Sequence, residues 1–208
     1  DKVPSSIINA INHPTRGREW LNSLLEEYSG LVANGAISHD HTLAEARAMG
    51  ITTKPVPITM VMAHKTNEKG EVSRLKIRAA IRGTERHMTK GVHYQETYAS
   101  TPNPASTRIL MALVVKYNLT MFAMDVVKAY CWAPRLKQSD WLILEYPRHL
   151  ERFHKETNEP LYILSMRNQY GSPDASRMYS QHRDKYFKEE FNRNGWTCIK
   201  TRMDANMF

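Results

Sequence analysis

Between Leu119 and Tyr130 the chain reads LTMFAMDVVKAY, an apolar run that carries a single carboxylate, Asp125, to its end. An aromatic residue, Tyr130, follows five positions later. Read as a strand, this run delivers one hard-oxygen side chain to a strand tip. Such a group is a natural ligand for Mg²⁺. A carboxylate that bridges two divalent ions supplies half of a two-metal site for nucleotidyl transfer, and at least one further carboxylate must complete it. The same Asp125 also serves as a simple cap for whatever follows the strand. No Asp-Asp pair occurs anywhere in the chain.

A second set of residues suits phosphate. Ile58 to Ala63 and Val72 to Ile81 read as two strands joined by a turn at Asn67-Glu68-Lys69-Gly70. The hairpin, residues 58–82, carries Lys65, Lys69, Arg74, Lys76, Arg78 and Arg82. Even spacing places Lys76, Arg78 and Arg82 on one face of a regular strand, with Leu75, Ile77, Ala79 and Ile81 on the other. A half-buried strand with a cationic outer face fits a nucleic-acid backbone. It equally fits a solvated edge guarded against aggregation by Lys and Arg.

Other elements must position these groups. Residues 1–14 form an irregular, polar lead-in. Trp20, Leu21, Leu24, Leu25, Tyr28 and Leu31 recur at helical spacing, with Glu19, Glu26 and Glu27 off that face, and Asn34-Gly35 ends the helix. A short helix over Thr42 to Met49 stops at Gly50. Residues 83–101 read as loop. Asn103 caps a helix with Pro104 at its first position, and Ile109, Leu110, Leu113 and Val114 are expected to be buried. Strands are expected at Leu119 to Asp125, Trp141 to Leu144 and Leu161 to Leu164, with a last one over residues 196–200. Ser172-Pro173 opens a helix with Ala175, Met178, Tyr179, His182 and Tyr186 on one face, ending at Gly195. Helices mixed with hairpins, without βαβ alternation, imply an α+β fold.

Composition narrows the chemistry further. The chain has 208 residues, is 41% hydrophobic and carries a net charge of +8, which favours a polyanionic partner, nucleic acid before an anionic membrane. Cys131 and Cys198 follow no CxxC spacing and no HExxH is present, so a zinc site or a disulfide framework is not indicated. The longest apolar run, Ile109 to Val115, is too short to span a bilayer. The absence of a signal-peptide pattern points to an intracellular location, cytoplasmic or nuclear, or to an organelle if a targeting segment is removed before Asp1.

Several blocks, in order, resemble the reverse transcriptase of Ty1/copia-type retrotransposons. KIRAAIRG (Lys76–Gly83) resembles KARLVARG, and HYQETYA (His93–Ala99) resembles DYxETFAP. STRILMAL (Ser106–Leu113) resembles TIRxLLAL, and FAMDVVKAY (Phe122–Tyr130) resembles QMDVxNAF. QYGSPDASRMY (Gln169–Tyr179) resembles LYGLKQAPRAWY, and DANMF (Asp204–Phe208) resembles DPCLF. The resemblance covers nearly the whole chain. It implies a right-hand polymerase-like architecture, with fingers over residues 15–118 and a partial palm over residues 119–208. Asp125 is then the first catalytic carboxylate and metal ligand, with the Val126 carbonyl as a further ligand. Tyr130 is the steric gate beneath the incoming sugar, and Lys76 contacts the triphosphate. Arg78 and Arg82, with Lys69 and Arg74 of the same hairpin, bind nucleic acid.

Departures from the family are equally specific. The family's Tyr-x-Asp-Asp hairpin lies downstream of the position matching Phe208, so the palm is truncated before the second carboxylate motif. Asp174 stands where the family has a Gln that lines the nucleotide pocket, and an anion there should repel a triphosphate. Lys128, two residues before the gate, and Trp132, two after it, are charged or bulky changes from the family's pattern, which has an uncharged Asn at the first of these positions. Two readings follow. One is a fragment of an RNA-directed DNA polymerase that is not catalytic alone and uses Mg²⁺ only if carboxylates from beyond this chain complete the site. The other is a retrotransposon-derived, catalytically dead RNA-binding or scaffold subunit of a larger assembly. Both keep RNA or an RNA/DNA duplex as partner.

Overall fold

The alternating hairpin forms as its pattern requires. In the computed structural model, which describes residues 2–202, 204 and 206, strand β2 (Val56–Thr66) pairs antiparallel with β3 (Val72–Ile81), from Ile58↔Ile81 to Lys65↔Arg74. The Asn67 side-chain oxygen closes the turn by accepting from the Lys69 and Glu71 amides at 3.0 and 2.9 Å. Leu75, Ile77, Ala79 and Ile81 are buried, while Arg74 is exposed and Lys76 and Arg78 are half-buried.

Three more strands extend the hairpin into a sheet. They are β1 (Ile37–His41), β4 (Leu142–Glu145) and β5 (Tyr162–Ser165), and the sheet order is β1-β5-β4-β2-β3. β4 meets β2 in parallel, at Val56↔Leu144, and β5 antiparallel. Leu142, Ile143 and Leu144 are fully buried. Leu142 and Leu144 pack with Val56, Ile58 and Ile163 on one face, and Ile143 packs with Ala46, Ile51 and Leu164 on the other. A continuous apolar run suits a strand covered on both faces. β4 and β5 come from the 119–208 segment yet lie between β1 and β2, so residue 118 is not a boundary of the sheet.

Local signals set the helices. Helix α1 (Ile7–Ile11) is capped by Ser6, within the stretch expected to be irregular. α3 (Leu43–Ala48) starts with a capping box between Thr42 and Glu45. α4 (Pro104–Lys116) begins at Asn103, whose side chain accepts from the Ala105 amide at 2.9 Å. α5 (Ala175–Arg193) follows Asp174, and only Ala175 of it is buried. Mixed helices and sheet make the fold α+β, as expected. Among the described residues no helix is long and apolar enough to cross a membrane.

Three expectations are corrected. Residues 119–125 and 196–200 form no strand. The five-stranded sheet ends at β1 and β3, and neither segment pairs with it. An apolar run without a partner for its backbone groups has no ladder to join. α4 forms but buries none of its residues, leaving Ile109 59%, Leu110 45% and Leu113 41% exposed. Of the Asp204–Phe208 block only Asp204 and Asn206 lie among the described residues, and the Asp204 carboxylate accepts from the Asn103 amide at 2.7 Å.

Helix α2 (Gly17–Ala33) shows how the sheet edge is closed. Its buried face runs through Trp20, Ser23, Leu24, Glu27 and Leu31, while Leu21 and Leu25 of the expected stripe are exposed. The face is rotated because two of its polar groups are needed at the edge of β3. Ser23 Oγ accepts from the Ile77 amide at 2.8 Å, and a Glu27 oxygen accepts from the Ala79 amide at 3.2 Å. These outward amides would otherwise be buried donors without partners, each costing roughly 1–3 kcal/mol. Ser23→Ala should therefore lower stability to urea by about 1–3 kcal/mol. Ser29→Ala, at an exposed turn of the same helix, should change it by less than about 0.5 kcal/mol.

Candidate nucleic-acid interface

A cleft of about 660 Å³ opens between β3, α2, the segment 125–130 and α5. Four of its walls come from sequence-distant pieces. β3 contributes Arg74, Lys76 and Arg78, and α2 contributes Ser23, Glu26 and Glu27. Asp125, Val126 and Tyr130 line another side, and Tyr170 faces them with Ser176 and Tyr179 of α5. The strand period places the three cations in one row along β3, about 7 Å apart for each step of two residues.

The cationic row meets an aromatic wall. The Arg78 guanidinium sits 5.1 Å from the centre of the Tyr170 ring. Tyr130 packs edge-on against Tyr170 and Tyr179, with ring centres at 5.2 and 6.2 Å. Its hydroxyl lies 3.2 Å from Ser176 Oγ. The position of Tyr170 depends on a close backbone approach, since the Ile81 amide donates to the Tyr170 carbonyl at 2.7 Å. Gly171, with φ +85, follows at once, and a Cβ there would collide with the Ile81 carbonyl. Only glycine combines that conformation with that contact.

Charges in the cleft are unevenly satisfied. Partial burial, then the neighbouring guanidinium groups of Arg78 and Arg74, hold the Lys76 ammonium below the usual lysine range. Neither Lys76 nor Arg78 forms an ion pair among the described residues. A phosphate placed between them would supply the missing counter-charge. Arg74 differs, because its Nη2 donates to both Glu26 oxygens at 2.6 and 2.7 Å.

Glu27 was expected to lie off the buried face of its helix, and this is corrected: it is 6% exposed. Its second oxygen pairs with Lys128 Nζ, which also donates to the Glu27 carbonyl at 3.3 Å. Lys128 adopts the left-handed conformation, φ 52, which costs a non-glycine residue roughly 1–3 kcal/mol. The buried pair holds it there. The stem of Lys128 crosses α2 over Gly30, where a Cβ would come within 2.5 Å of Lys128 Cε. The 3₁₀ turn Ala129–Trp132 follows directly and presents Tyr130 to the cleft.

Six expected site residues thus converge: Arg74, Lys76, Arg78, Asp125, Val126 and Tyr130. Three do not. Lys69 stays in the exposed hairpin turn. Arg82 points away from the cleft, donating to Thr59 Oγ1 at 3.1 Å and lining a separate groove of about 560 Å³ with Arg148 and Arg152. Asp174 was expected to face the cleft as a repelling anion. It is instead 7% exposed, accepts from Ser172 Oγ at 2.6 Å and lies 3.6 Å from the buried Arg135. That Arg135 partner neutralises it away from the cleft. Glu26, Glu27 and Tyr170 were not foreseen as site residues. Ser23 and Glu27, four apart among buried Trp20, Leu24 and Leu31, carried the available signal.

The donors present do not fit a two-ion site. Among the described residues no three His, Cys, Asp or Glu side chains are grouped to hold a metal. Asp125 shares the cleft with Glu26 and Glu27, but each glutamate is already paired to a cation. One remaining carboxylate is fewer than Mg²⁺ pairs require. No protein-family model matches the chain.

The Lys128–Glu27 pair makes a sharp prediction. Lys128→Ala leaves Glu27 buried without its cation and should cost about 3 kcal/mol in urea denaturation. The double variant Glu27→Gln/Lys128→Met removes both charges and should recover most of that loss. A double variant as unstable as the single one would contradict this role.

Proposed function

We propose that this chain is a reverse-transcriptase-related unit that binds RNA or an RNA/DNA duplex in the β3–α5 cleft and does not polymerise by itself. The observation that carries the reading is convergence. Lys76 and Arg78, Asp125 with Val126, and Tyr130 stand far apart in sequence and line one cleft. The residues that the Ty1/copia resemblance implies for triphosphate, metal and sugar are thus neighbours. Unpaired cations beside aromatic rings also suit a phosphate backbone with bases stacking nearby.

The second reading, a non-catalytic RNA-binding or scaffold subunit, draws support from the Lys128–Glu27 pair. That salt bridge lines the same cleft as Asp125, and the family has an uncharged Asn at the position of Lys128. Both readings share the binding surface and differ over catalysis. Mg²⁺ belongs only to the first, and only if further carboxylates complete the site around Asp125.

Two measurements on the 208-residue chain test the proposal. With primer–template, deoxynucleotides and Mg²⁺, no nucleotide incorporation is expected, and incorporation would refute the claim that one carboxylate is insufficient. Fluorescence anisotropy should detect single-stranded RNA binding that weakens steeply with salt. Lys76→Ala/Arg78→Ala should flatten the log–log salt slope by about 1.4, as two lost phosphate contacts require. No affinity at low salt, or a slope unchanged in the double variant, would overturn the reading.

A further inference from the structure

The three cations of β3 are not equivalent. Arg74 is answered by Glu26 from α2, through two contacts of 2.6 and 2.7 Å, whereas Lys76 and Arg78 make no direct ion pair among the described residues, Lys76 feeling Glu26 and Glu27 only at longer range. The Arg74–Glu26 pair is solvent-exposed, with side-chain exposures of 56% and 65%. An exposed pair of this kind is weak, and a phosphate can replace its carboxylate. Glu26 is charged at neutral pH like any exposed carboxylate, and the Arg74 hydrogen bond lowers its carboxyl further. Its removal from Arg74 would leave an anion on the cleft wall, facing the ligand that displaced it.

We propose that Glu26 is an intramolecular competitor for the phosphate backbone, which masks Arg74 and restricts the empty cleft to the Lys76–Arg78 pair. The inference rests on the nucleic-acid reading of the cleft and specifies how its affinity is set. A phosphate that reaches Arg74 must displace Glu26, which then recaptures a counterion from solution. The contact therefore adds little to affinity or salt dependence while Glu26 is present. Glu27, the neighbouring carboxylate, does not play this part, since it is buried and held by Lys128 and the Ala79 amide.

A double-mutant cycle read by anisotropy against a single-stranded RNA tests this. Glu26→Gln should tighten binding about fivefold at low salt and steepen the log–log slope by about 0.7, the contribution of one further phosphate contact. Arg74→Ala should abolish the gain in the Glu26→Gln background, and should cost clearly less in wild type, where it removes a masked cation and leaves only the repulsion of the freed Glu26. An unchanged affinity in Glu26→Gln, or an equal loss from Arg74→Ala in both backgrounds, would overturn the inference. In that case weakening by Lys76→Ala/Arg78→Ala would still uphold the nucleic-acid reading. If neither wild type nor Glu26→Gln binds RNA, both fall together. Thermal unfolding of Glu26→Gln should match wild type, since the exposed pair contributes little to the fold.

Discussion

One buried carboxylate ties the molecule together. Glu27 uses one oxygen to accept the outward Ala79 amide of β3 and the other to hold the Lys128 ammonium. Helix, sheet edge and the segment that presents Tyr130 therefore meet at a single group. A charge removed from water is tolerated only where it is paired and its hydrogen bonds are made. That requirement fixes the rotation of α2, whose polar Ser23 and Glu27 turn inward while Leu21 and Leu25 turn out. It also fixes a strained backbone at Lys128 that a free loop would abandon.

The cleft inherits its character from this arrangement. With its edge amides satisfied from α2, β3 can be the last strand of the sheet without offering a bare ladder to other chains. Its apolar face closes on Trp20 and Leu24, and the alternate face carries the cations into the cleft. Across from them, Gly171 lets Tyr170 approach the end of β3, and Tyr130 leans on Tyr170. Asp125 stands in this setting as a single carboxylate beside two that are already paired.

Legibility in the sequence followed the range of the interactions. The hairpin, the cap at Asn103, and the stops at Gly35, Gly50 and Gly195 rest on a few adjacent residues, and each stands where the pattern placed it. Lys76 and Arg78 of the cationic face were legible for the same reason, whereas Arg82, expected beside them, lies past the end of β3 and turns to Thr59. Residues 119–125 were misjudged because apolar content does not create a pairing partner, and β1 was missed because its polar sequence ISHDH hides its ladder with β5. Asp174 was misplaced because its neutralising partner, Arg135, lies far away in sequence. Glu27 was read as a surface charge because helical periodicity scores apolarity, whereas here the buried face needed a hydrogen-bond acceptor.

Photocrosslinking gives the most direct test of the central claim, that the β3–α5 cleft carries nucleic acid. An RNA bearing 4-thiouridine would be irradiated in complex with the protein, and the adducted peptides sequenced. Adducts on the peptides that hold Lys76 and Arg78, Tyr130 and Tyr170 are the result this structure predicts. Adducts confined to the hairpin turn at Lys69 or to the Arg148–Arg152 groove, with none in the cleft, would contradict it.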